Sequence, residues 1–375
     1  MSDDALPESW EILRCWLPAD LNESARQHGF FRRARGLQDA EVWLRLICMH
    51  VAGGLSLEQT VVRARELGLA EVSAVALFKR LRVAEKWLWA LTHHLLSEQQ
   101  RLWGRGVRAA WPQKVRVIDA TDIHEPGSSG TDLRLHYAVR LPELSCDHFE
   151  LSDARGGEKL GRFQFRRGEW ILADRGYSHR AGAALVLAAG AELIVRWNWA
   201  VFPLEDARGR AFAPRPACHA LKVGEVRHWK VWFRWQGQRR ALWLCALRKN
   251  RLATERARQK TRRKAQRNGT REVDPQSLEL AGYILVLSSL EPARLAPQAV
   301  LELYRCRWQI ELTFKRLKSL LAAGHVPKSD DASAKSWMQA KILTALLVER
   351  VLFEAKLFSP WGYHLGRGKS LAQLP

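Results

Sequence analysis

The spacing of apolar residues changes near residue 115. Between residues 10 and 104 the apolar positions recur with a helical period, and Ser56 with Gln59 forms a capping-box pattern at the start of one helix. From Val115 onward the period shortens to that of β-strands, and short runs rich in Val, Ile and Leu alternate with two helical segments. The sequence therefore predicts a helical domain, residues 1–105, followed by an α/β domain.

Two of the predicted strands end in an aspartate. The first strand, VRVID, ends at Asp119, and the fourth, EWILAD, ends at Asp174. The predicted order of three strands, a helix, a strand, a helix and a strand is that of an RNase H-like domain. In such a sheet the first and fourth strands are neighbours, so we expect the two aspartates side by side at an edge where open α/β sheets bind ligands. A single aspartate at the end of a strand would more often stabilise a turn or cap a helix by a hydrogen bond to the backbone.

Residues 199–290 contain strands that a five-stranded core does not need. Runs rich in Trp and Val, such as HWKVWFRW and GYILVLSSL, predict a β-rich insertion subdomain. The predicted fold class is α/β: an RNase H-like core, residues 106–198 and 291–324, is interrupted by this insertion and preceded by the helical domain. A C-terminal helical region, residues 325–375, completes the prediction.

The charge balance indicates what kind of partner the protein binds. Lys and Arg number 60 against 39 Asp and Glu, which gives the 375-residue chain a net charge of +21 and a pI near 10.3. Residues Arg248 to Arg271 hold eleven basic residues and one acidic residue, a net +10. Such a balance is typical of proteins that bind polyanions, and nucleic acid is the leading candidate. A run of this kind can also be a solvated or disordered arm.

Cysteine usage and hydropathy narrow the expected location. The six cysteines form no C-x-x-C pair, so the sequence predicts neither a disulfide framework nor a zinc site. The longest apolar run, residues 181–195, is short and is interrupted by Glu192. From the cysteines and the hydropathy we therefore expect a cytoplasmic protein with no membrane contact.

The sequence contains no G-x-S-x-G motif, so it does not suggest a serine hydrolase.

The stretch from Leu303 to Leu321 carries the most specific pattern in the chain. If it forms one continuous helix, Tyr304, Arg307, Glu311 and Lys318 fall on one narrow face beside an apolar stripe. One carboxylate would then stand among phenolic and cationic groups. An ordinary amphipathic helix with an intrahelical Glu–Lys pair is the alternative for this stretch taken alone.

The spacing Tyr-x2-Arg-x3-Glu-x6-Lys of these residues resembles the signature of the insertion sequence 4 family of bacterial DDE transposases. The segments DATD and DRGY are similar to the two aspartate motifs of that family. The resemblance implies a DNA transposase that cuts and joins the ends of an insertion sequence. It assigns Asp119, Asp174 and Glu311 as catalytic residues and metal ligands of an RNase H-like domain, while Asp122 stays open as an alternative first aspartate.

By the same resemblance, the three carboxylates hold two Mg²⁺ ions, for which Mn²⁺ can substitute. Hard oxygen donors suit both metals. Two such ions can activate the attacking oxygen and stabilise the leaving oxygen in phosphodiester cleavage. Water would be the first nucleophile, and the freed 3′-hydroxyl the second.

The resemblance also implies the partners. The protein would bind double-stranded DNA, namely the terminal inverted repeats of the element and the target DNA. It would do so as a homodimer associated with the nucleoid. The helical domain 1–105 would contribute to recognition of the ends. The side chains expected to contact DNA surround Glu311, follow Asp174, or lie in the insertion, and they are Tyr304, Arg307, Lys318, Arg175, Tyr283, Arg262, Arg263 and Lys264. At the position of Tyr283, related enzymes that form a DNA hairpin carry a tryptophan that stacks on a flipped base. A core tyrosine that begins a buried strand is the alternative.

Two other functions stay open at this point. An RNase H-like nuclease that cuts without joining would keep the three carboxylates, but it would not need the tyrosine, arginine and lysine around Glu311. A domesticated, non-catalytic DNA-binding derivative would be expected to have lost a carboxylate, and the sequence retains all of them.

Overall fold

The described residues form one mixed β-sheet of eight strands. The structure is a computed structural model that describes residues 9–31, 36–106, 114–124, 132–141, 144–153, 155–267, 269, 272–324, 326–327 and 330–357. The strands are β1 Val115–Ile123, β2 Leu133–Leu141, β3 Ser145–Asp153, β4 Trp170–Ala173, β5 Glu192–Arg196, β6 Val226–Trp235, β7 Gln238–Arg248 and β8 Tyr283–Ser288. In space they follow the order β3-β2-β1-β4-β5-β8-β7-β6.

The register of β1 and β4 places the two sequence-predicted aspartates next to each other. Strands β1, β4 and β5 run parallel, and Ile118 of β1 pairs with Ala173 of β4. Asp119 and Asp174 directly follow this pair of residues in the sequence. The prediction that the first and fourth strands are neighbours is therefore confirmed. The prediction that the first strand stops at Asp119 is wrong, because β2 continues to pair with β1 as far as Ile123.

The strands of residues 199–290 extend the same sheet. Strand β8 pairs with β5 in antiparallel register, and β7 and β6 follow on its outer side. Strands lie at the predicted positions, and among the described residues they belong to this sheet and not to a sheet of their own. Without β8 the edge of β5 would expose unpaired backbone N–H and C=O groups, and pairing with β8 satisfies them.

In the part of residues 9–106 that the structure describes, six helices precede the sheet, as the helical period predicts. They are α1 Ser9–Arg14, α2 Leu21–Gln27, α3 Ala40–Val51, α4 Leu57–Glu66, α5 Ala74–Leu81 and α6 Glu85–Gly106. The predicted capping box is present, since the Ser56 hydroxyl accepts the Gln59 N–H and the Gln59 side chain accepts the Ser56 N–H. The C-terminal helix α13, Asp331–Leu357, packs against α3, α5 and α6, while residues 358–375 lie outside the described part.

Apolar side chains fill a core on each face of the sheet. One core joins α1 to α6 and α13 to a sheet face that includes Val117 and Leu172. The other core includes Ile118 and Ala173 and is covered by α7 Arg180–Ala188, α8 Pro214–His219 and α10 Pro275–Leu280. In contrast, α9 Arg251–Arg267 has no buried residue. Among the described residues, no helix is long and apolar enough to cross a membrane.

The predicted continuous helix from Leu303 to Leu321 is two helices. Helix α11 spans Pro297–Arg305, α12 spans Trp308–Leu320, and a tight turn at Cys306 and Arg307 separates them. The Arg307 N–H donates to the Tyr304 carbonyl at 3.0 Å, an i to i−3 bond typical of 3₁₀ geometry. Because both turn residues keep right-handed helical dihedral angles, the chain tightens without reversing, and side chains on either side of the turn still approach one site.

Candidate active site

The guanidinium of Arg307 lies among the three carboxylates that the sequence predicts to act together. Its Nη1 atom is 3.1 Å from Asp119 Oδ2, and its Nε atom is 4.0 Å from Asp174 Oδ1. Its Nη2 atom forms an ion pair with Glu311. The structure therefore brings two strands and helix α12 to a single point.

Alternation along the strands directs both aspartates to the side of α11 and α12. Asp119 lies two residues after Val117, and Asp174 lies two residues after Leu172, so both share the sheet face of these core residues. On that face the ring of Tyr137, opposite Asp119 in the register, contacts the ring of Phe314 on α12. Packing of α12 on β1 and β2 thus brings Glu311 over the aspartates.

Burial has a clear effect on Asp119. Its side chain is 15% exposed, and its carboxylate accepts the backbone N–H of Ala120 at 2.9 Å. Burial raises the pKa of Asp119 to about 7; this hydrogen bond and Arg307 oppose the rise, and the negative charges of Asp174 and Glu158 add to it. A carboxyl group in these surroundings ionises more readily once further positive charge is supplied.

Asp122, the alternative first aspartate, points to the opposite face of the sheet. It lies three residues after Asp119, and its side chain forms an ion pair with Arg134 of β2 at 2.9 Å. Its side chain is 45% exposed. The geometry therefore favours Asp119 over Asp122 as the partner of Asp174 and Glu311.

Tyr304 and Lys318 reach the same site from the two sides of the helical turn. The Tyr304 hydroxyl donates to Asp174 Oδ1 at 3.4 Å, and burial raises the pKa of Tyr304 above its ordinary value. Lys318 Nζ donates to the backbone carbonyl of Asp122 at 3.0 Å. All four residues of the helical pattern thus lie at the end of β1 and β4, although they do not belong to one helix.

A fourth acidic group, Glu158, lies beside the site, and the sequence does not predict it. Glu158 contacts Gly176, two residues after Asp174, so closely that a Cβ atom on Gly176 would lie 1.5 Å from Glu158 Oε2. Burial raises the pKa of Glu158, Arg134 opposes the rise, and the charges of Asp174 and Asp122 increase it. No sequence signal identifies this residue, because it lies in an irregular segment between β3 and β4 without a motif of its own.

Carboxylate oxygens are the donors that the site offers to a metal ion. Within the part of the chain that the structure describes, no group of three or more His, Cys, Asp or Glu side chains is drawn together as a metal cluster. The three carboxylates instead share the Arg307 guanidinium. Their chemistry fits a hard divalent cation, since oxygen ligands with an excess of negative charge are what such ions prefer.

The other residues predicted to contact DNA are distributed along the same edge of the sheet. Arg175 follows Asp174, and its Nη2 atom donates to Asn198 Oδ1 at 3.2 Å. Tyr283 is 7% exposed in the second core, with the Arg248 guanidinium 6.0 Å from its ring centre. Arg248, and not a carboxylate of the site, faces its ring, and its stacking on a base stays a prediction.

The basic segment is largely helical and exposed. Residues Arg262, Arg263 and Lys264 belong to α9, and all three are exposed. Arg263 and Lys264 line an open groove, whereas Arg262 is not among its lining residues. Residues 268, 270 and 271 of the predicted basic segment lie outside the described residues.

Comparison with known proteins places these residues in context. The family described as the transposase DDE domain matches residues 150–347, a range that includes Asp174 and Glu311 and begins after Asp119. The putative transposase InsL for insertion sequence element IS186A, from Escherichia coli strain K12, is 33% identical over 365 residues, covering 94% of this chain and 96% of the relative. The transposase for insertion sequence element IS421 from Escherichia coli is 33% identical over 366 residues with the same coverage.

A solved structure with a similar fold is the synaptic complex of the piggyBac transposase with hairpin DNA, determined by cryo-electron microscopy. The TM-score is 0.51 at 10% sequence identity, and the match covers 93% of this chain and 76% of that chain. At this identity the likeness concerns the fold alone. It extends to the mixed α/β architecture with its large sheet.

Proposed function

The chain belongs to the transposases with a DDE domain, enzymes that cut DNA and transfer the cut strand, and from this membership we propose that Asp119, Asp174 and Glu311 are its catalytic carboxylates. The observation that carries the proposal is their convergence on one guanidinium, that of Arg307. Three carboxylates from separate elements meet there at the carboxyl ends of parallel strands, where α/β sheets place their ligands.

The proposed substrate is the pair of ends of a bacterial insertion sequence. The related proteins from Escherichia coli are named as transposases of insertion sequence elements. We further assign the chain to the insertion sequence 4 family, because all four residues of the Tyr-x2-Arg-x3-Glu-x6-Lys spacing contact the carboxylates or the end of β1. The parallel β1, β4 and β5, flanked by the antiparallel β2 and β3, support an RNase H-like core.

The metal requirement follows from the family in general terms, since DDE domains use divalent ions. We propose Mg²⁺, for which Mn²⁺ can substitute, and two ions held by Asp119, Asp174 and Glu311. When bound, such ions polarise the phosphoryl group and lower the pKa of water. The excess of carboxylates over cations at the site fits this requirement, and so does the raised pKa of Asp119, because a nearby cation would favour its ionised form.

The remaining side chains of the site would position the DNA. Arg307 offers a planar fork that can bind two oxygens of one phosphate, whereas Lys318 offers a single charge. Tyr304 orients Asp174 through its hydroxyl group. Because Tyr304 is only 9% exposed, it offers DNA little contact surface. Arg175 follows Asp174 directly and would contact a neighbouring phosphate. A homodimer that pairs two DNA ends is part of the proposal.

A cleavage assay on a duplex that carries one end and its flanking DNA tests this function. With Mg²⁺, the wild-type protein should release a 3′-hydroxyl end and join it to a second duplex. Asp119→Asn, Asp174→Asn and Glu311→Gln should each reduce both products to background while the end is still bound, because each change removes a negative oxygen ligand and almost no volume.

Asp122→Asn is the matched control for the first aspartate, and it should retain both products. If Asp122→Asn is inactive and Asp119→Asn is active, the assignment of the first aspartate is wrong. Cutting without joining by the wild-type protein would indicate a nuclease, and binding without cutting would indicate a non-catalytic derivative.

A further inference from the structure

Helix α9 projects from the insertion as a strongly charged element. It is 17 residues long, none of them buried, and eight of them are Lys or Arg against one Glu. A solvent-exposed helix of this composition gains little from packing, and its like charges repel one another. Its composition is therefore better explained by a ligand than by the fold.

The cations of α9 are not distributed evenly around the helix. Five of them lie within about 100° of one another at 3.6 residues per turn, and with Gln259 they line an open surface groove of about 680 Å³ whose walls are all side chains of α9. We call this set the groove face, and its members are Arg256, Lys260, Arg263, Lys264 and Arg267. Arg251 and Arg262 point roughly to the opposite side of the helix.

The side chains of the groove face have no hydrogen bond or ion pair to any residue that the structure describes. In contrast, Arg258 on the inner side of α9 donates to the Leu278 carbonyl at 3.2 Å and pairs with Glu255 at 2.7 Å. One side of the helix thus attaches it to the protein, whereas no acidic side chain that the structure describes forms an ion pair with the groove face; only a longer-range attraction joins Lys264 to Glu158. Charge complementarity points to an external polyanion.

Topology brings α9 to the edge of the sheet that holds the carboxylates. Strand β7 runs parallel to β5, because both are antiparallel to β8. Its last residue, Arg248, therefore lies at the same edge as Asp174, and α9 begins three residues later. Consistent with this placement, burial raises the pKa of Glu158, and the Lys264 ammonium is among the cations that oppose the rise.

We propose that the groove face binds the phosphate backbone of duplex DNA next to the bond that is cleaved, without reading its sequence. The inference rests on the proposed function of the carboxylate site. From Arg256 to Arg267 the face spans about 16 Å at 1.5 Å per residue, which corresponds to about five phosphates along one DNA strand. Arg and Lys bind phosphate oxygens regardless of the base.

The experiment compares two variants that each remove two arginines from α9. The groove-face variant is Arg263→Gln with Arg267→Gln, and the control is Arg251→Gln with Arg262→Gln. The orientation of Arg262 away from the groove face replaces the expectation, drawn from the basic run, that it contacts DNA. Glutamine keeps the helix propensity close to that of arginine, and thermal unfolding checks that each variant is folded. Binding to one end duplex and to an unrelated duplex is measured by fluorescence anisotropy between 50 and 300 mM salt.

The groove-face variant should flatten the slope of log K against log salt by about 1.8, which is two phosphate contacts at about 0.9 each. The loss should be equal on both duplexes, and the control should keep the wild-type slope. Equal slope changes in the two variants would overturn the groove face and leave only a diffuse charge. A loss confined to the end duplex would overturn sequence-independent binding.

Hydroxyl-radical footprinting then locates the contact. Wild-type protein and control should protect about five consecutive nucleotides next to the cleavage point, and the groove-face variant should leave about two of them unprotected. Protection at a remote position would overturn the placement. Cleavage by the wild-type protein is recorded in parallel, so a failure of the proposed function, seen as absent cleavage, is distinguishable from a failure of this inference.

Discussion

Arg116 and Asp119 lie three residues apart on β1, yet the charges around them are arranged differently. Arg116 is buried between Asp147 of β3 and Glu169, which precedes β4, and Arg140 of β2 binds Asp147 from the other side at 2.7 Å. Two cations face two anions. Around Asp119, the single guanidinium of Arg307 faces three carboxylates.

The pKa values of Asp147 and Asp119 shift in opposite directions, although both side chains are buried. Burial alone would raise the pKa of Asp147, but Arg116 and Arg140 more than compensate, and the net shift is downward. The pKa of Asp119 rises to about 7, because one shared guanidinium does not offset burial and two neighbouring carboxylates. Charges that hold the sheet together are matched inside the protein, whereas those at the candidate site are left in excess.

The largest expected effect on stability comes from the charge-balanced network around Arg116 and Asp147. Asp147→Asn leaves two buried guanidinium groups without their shared anion, and we expect a loss of about 3 to 5 kcal/mol in the free energy of unfolding. Urea titration measures it. A loss below about 1 kcal/mol would show that the buried network does not stabilise the sheet, and the comparison would fail.

Divalent cations should stabilise the protein by binding at the three carboxylates around Arg307, where negative charge is in excess, and not at the balanced network of Asp147. At 100 times its dissociation constant, a bound ion adds about 2.7 kcal/mol to the stability of the folded state. We expect added Mn²⁺ to raise the melting temperature of the wild-type protein and of Asp147→Asn by similar amounts, and to have little effect on Asp119→Asn or Glu311→Gln. A Mn²⁺ effect that survives in both of the latter variants would place the ion elsewhere.

Without metal, Asp119→Asn should stabilise the protein, by an amount on the order of 2 kcal/mol at pH 8. The folded protein holds the Asp119 proton up to about pH 7, whereas an unfolded aspartate loses it near 3.8. Wild-type stability contributed by this group therefore falls as pH rises between these two values. The advantage of the variant should be absent below about pH 4 and complete above pH 7, as urea titrations across this range would show.

The smallest effect is expected from Asp122→Asn. Its carboxylate pairs with Arg134 but is 45% exposed, and ion pairs of this kind contribute about 0 to 1 kcal/mol. Both the free energy of unfolding and the response to Mn²⁺ should stay close to wild type. Loss of the Mn²⁺ response in this variant alone would move the metal site to the opposite face of β1.

The sequence predicts those parts of the site that depend on local period and spacing. The strand before Asp174 and the neighbouring position of Asp119 follow from such patterns. The turn at Arg307 does not, because no proline or glycine marks it and both turn residues keep helical dihedral angles. The contact of Glu158 with Gly176 and the buried pairs of Arg116 depend on tertiary proximity, for which neither composition nor period gives a signal.

The pairing of β8 with β5 is a similar case. The pattern of YILVLSSL identifies a strand, but it does not say whether that strand joins the core sheet or closes a sheet of its own. Residues 90 to 94 positions apart in the chain, such as Ile194 and Ser288, meet in this ladder. Local sequence carries no information about partners at that separation.

This ladder also sets a distance. Three inter-strand steps separate β4, which leads to Asp174, from β7, which leads to α9, and at about 4.8 Å each they amount to about 14 Å, or about four base pairs of DNA. Backbone hydrogen bonds maintain this offset, and side chains do not. Substitutions on α9 can therefore change how tightly DNA is held, but the number of base pairs between the carboxylates and the start of α9 would change only with a gain or loss of strands.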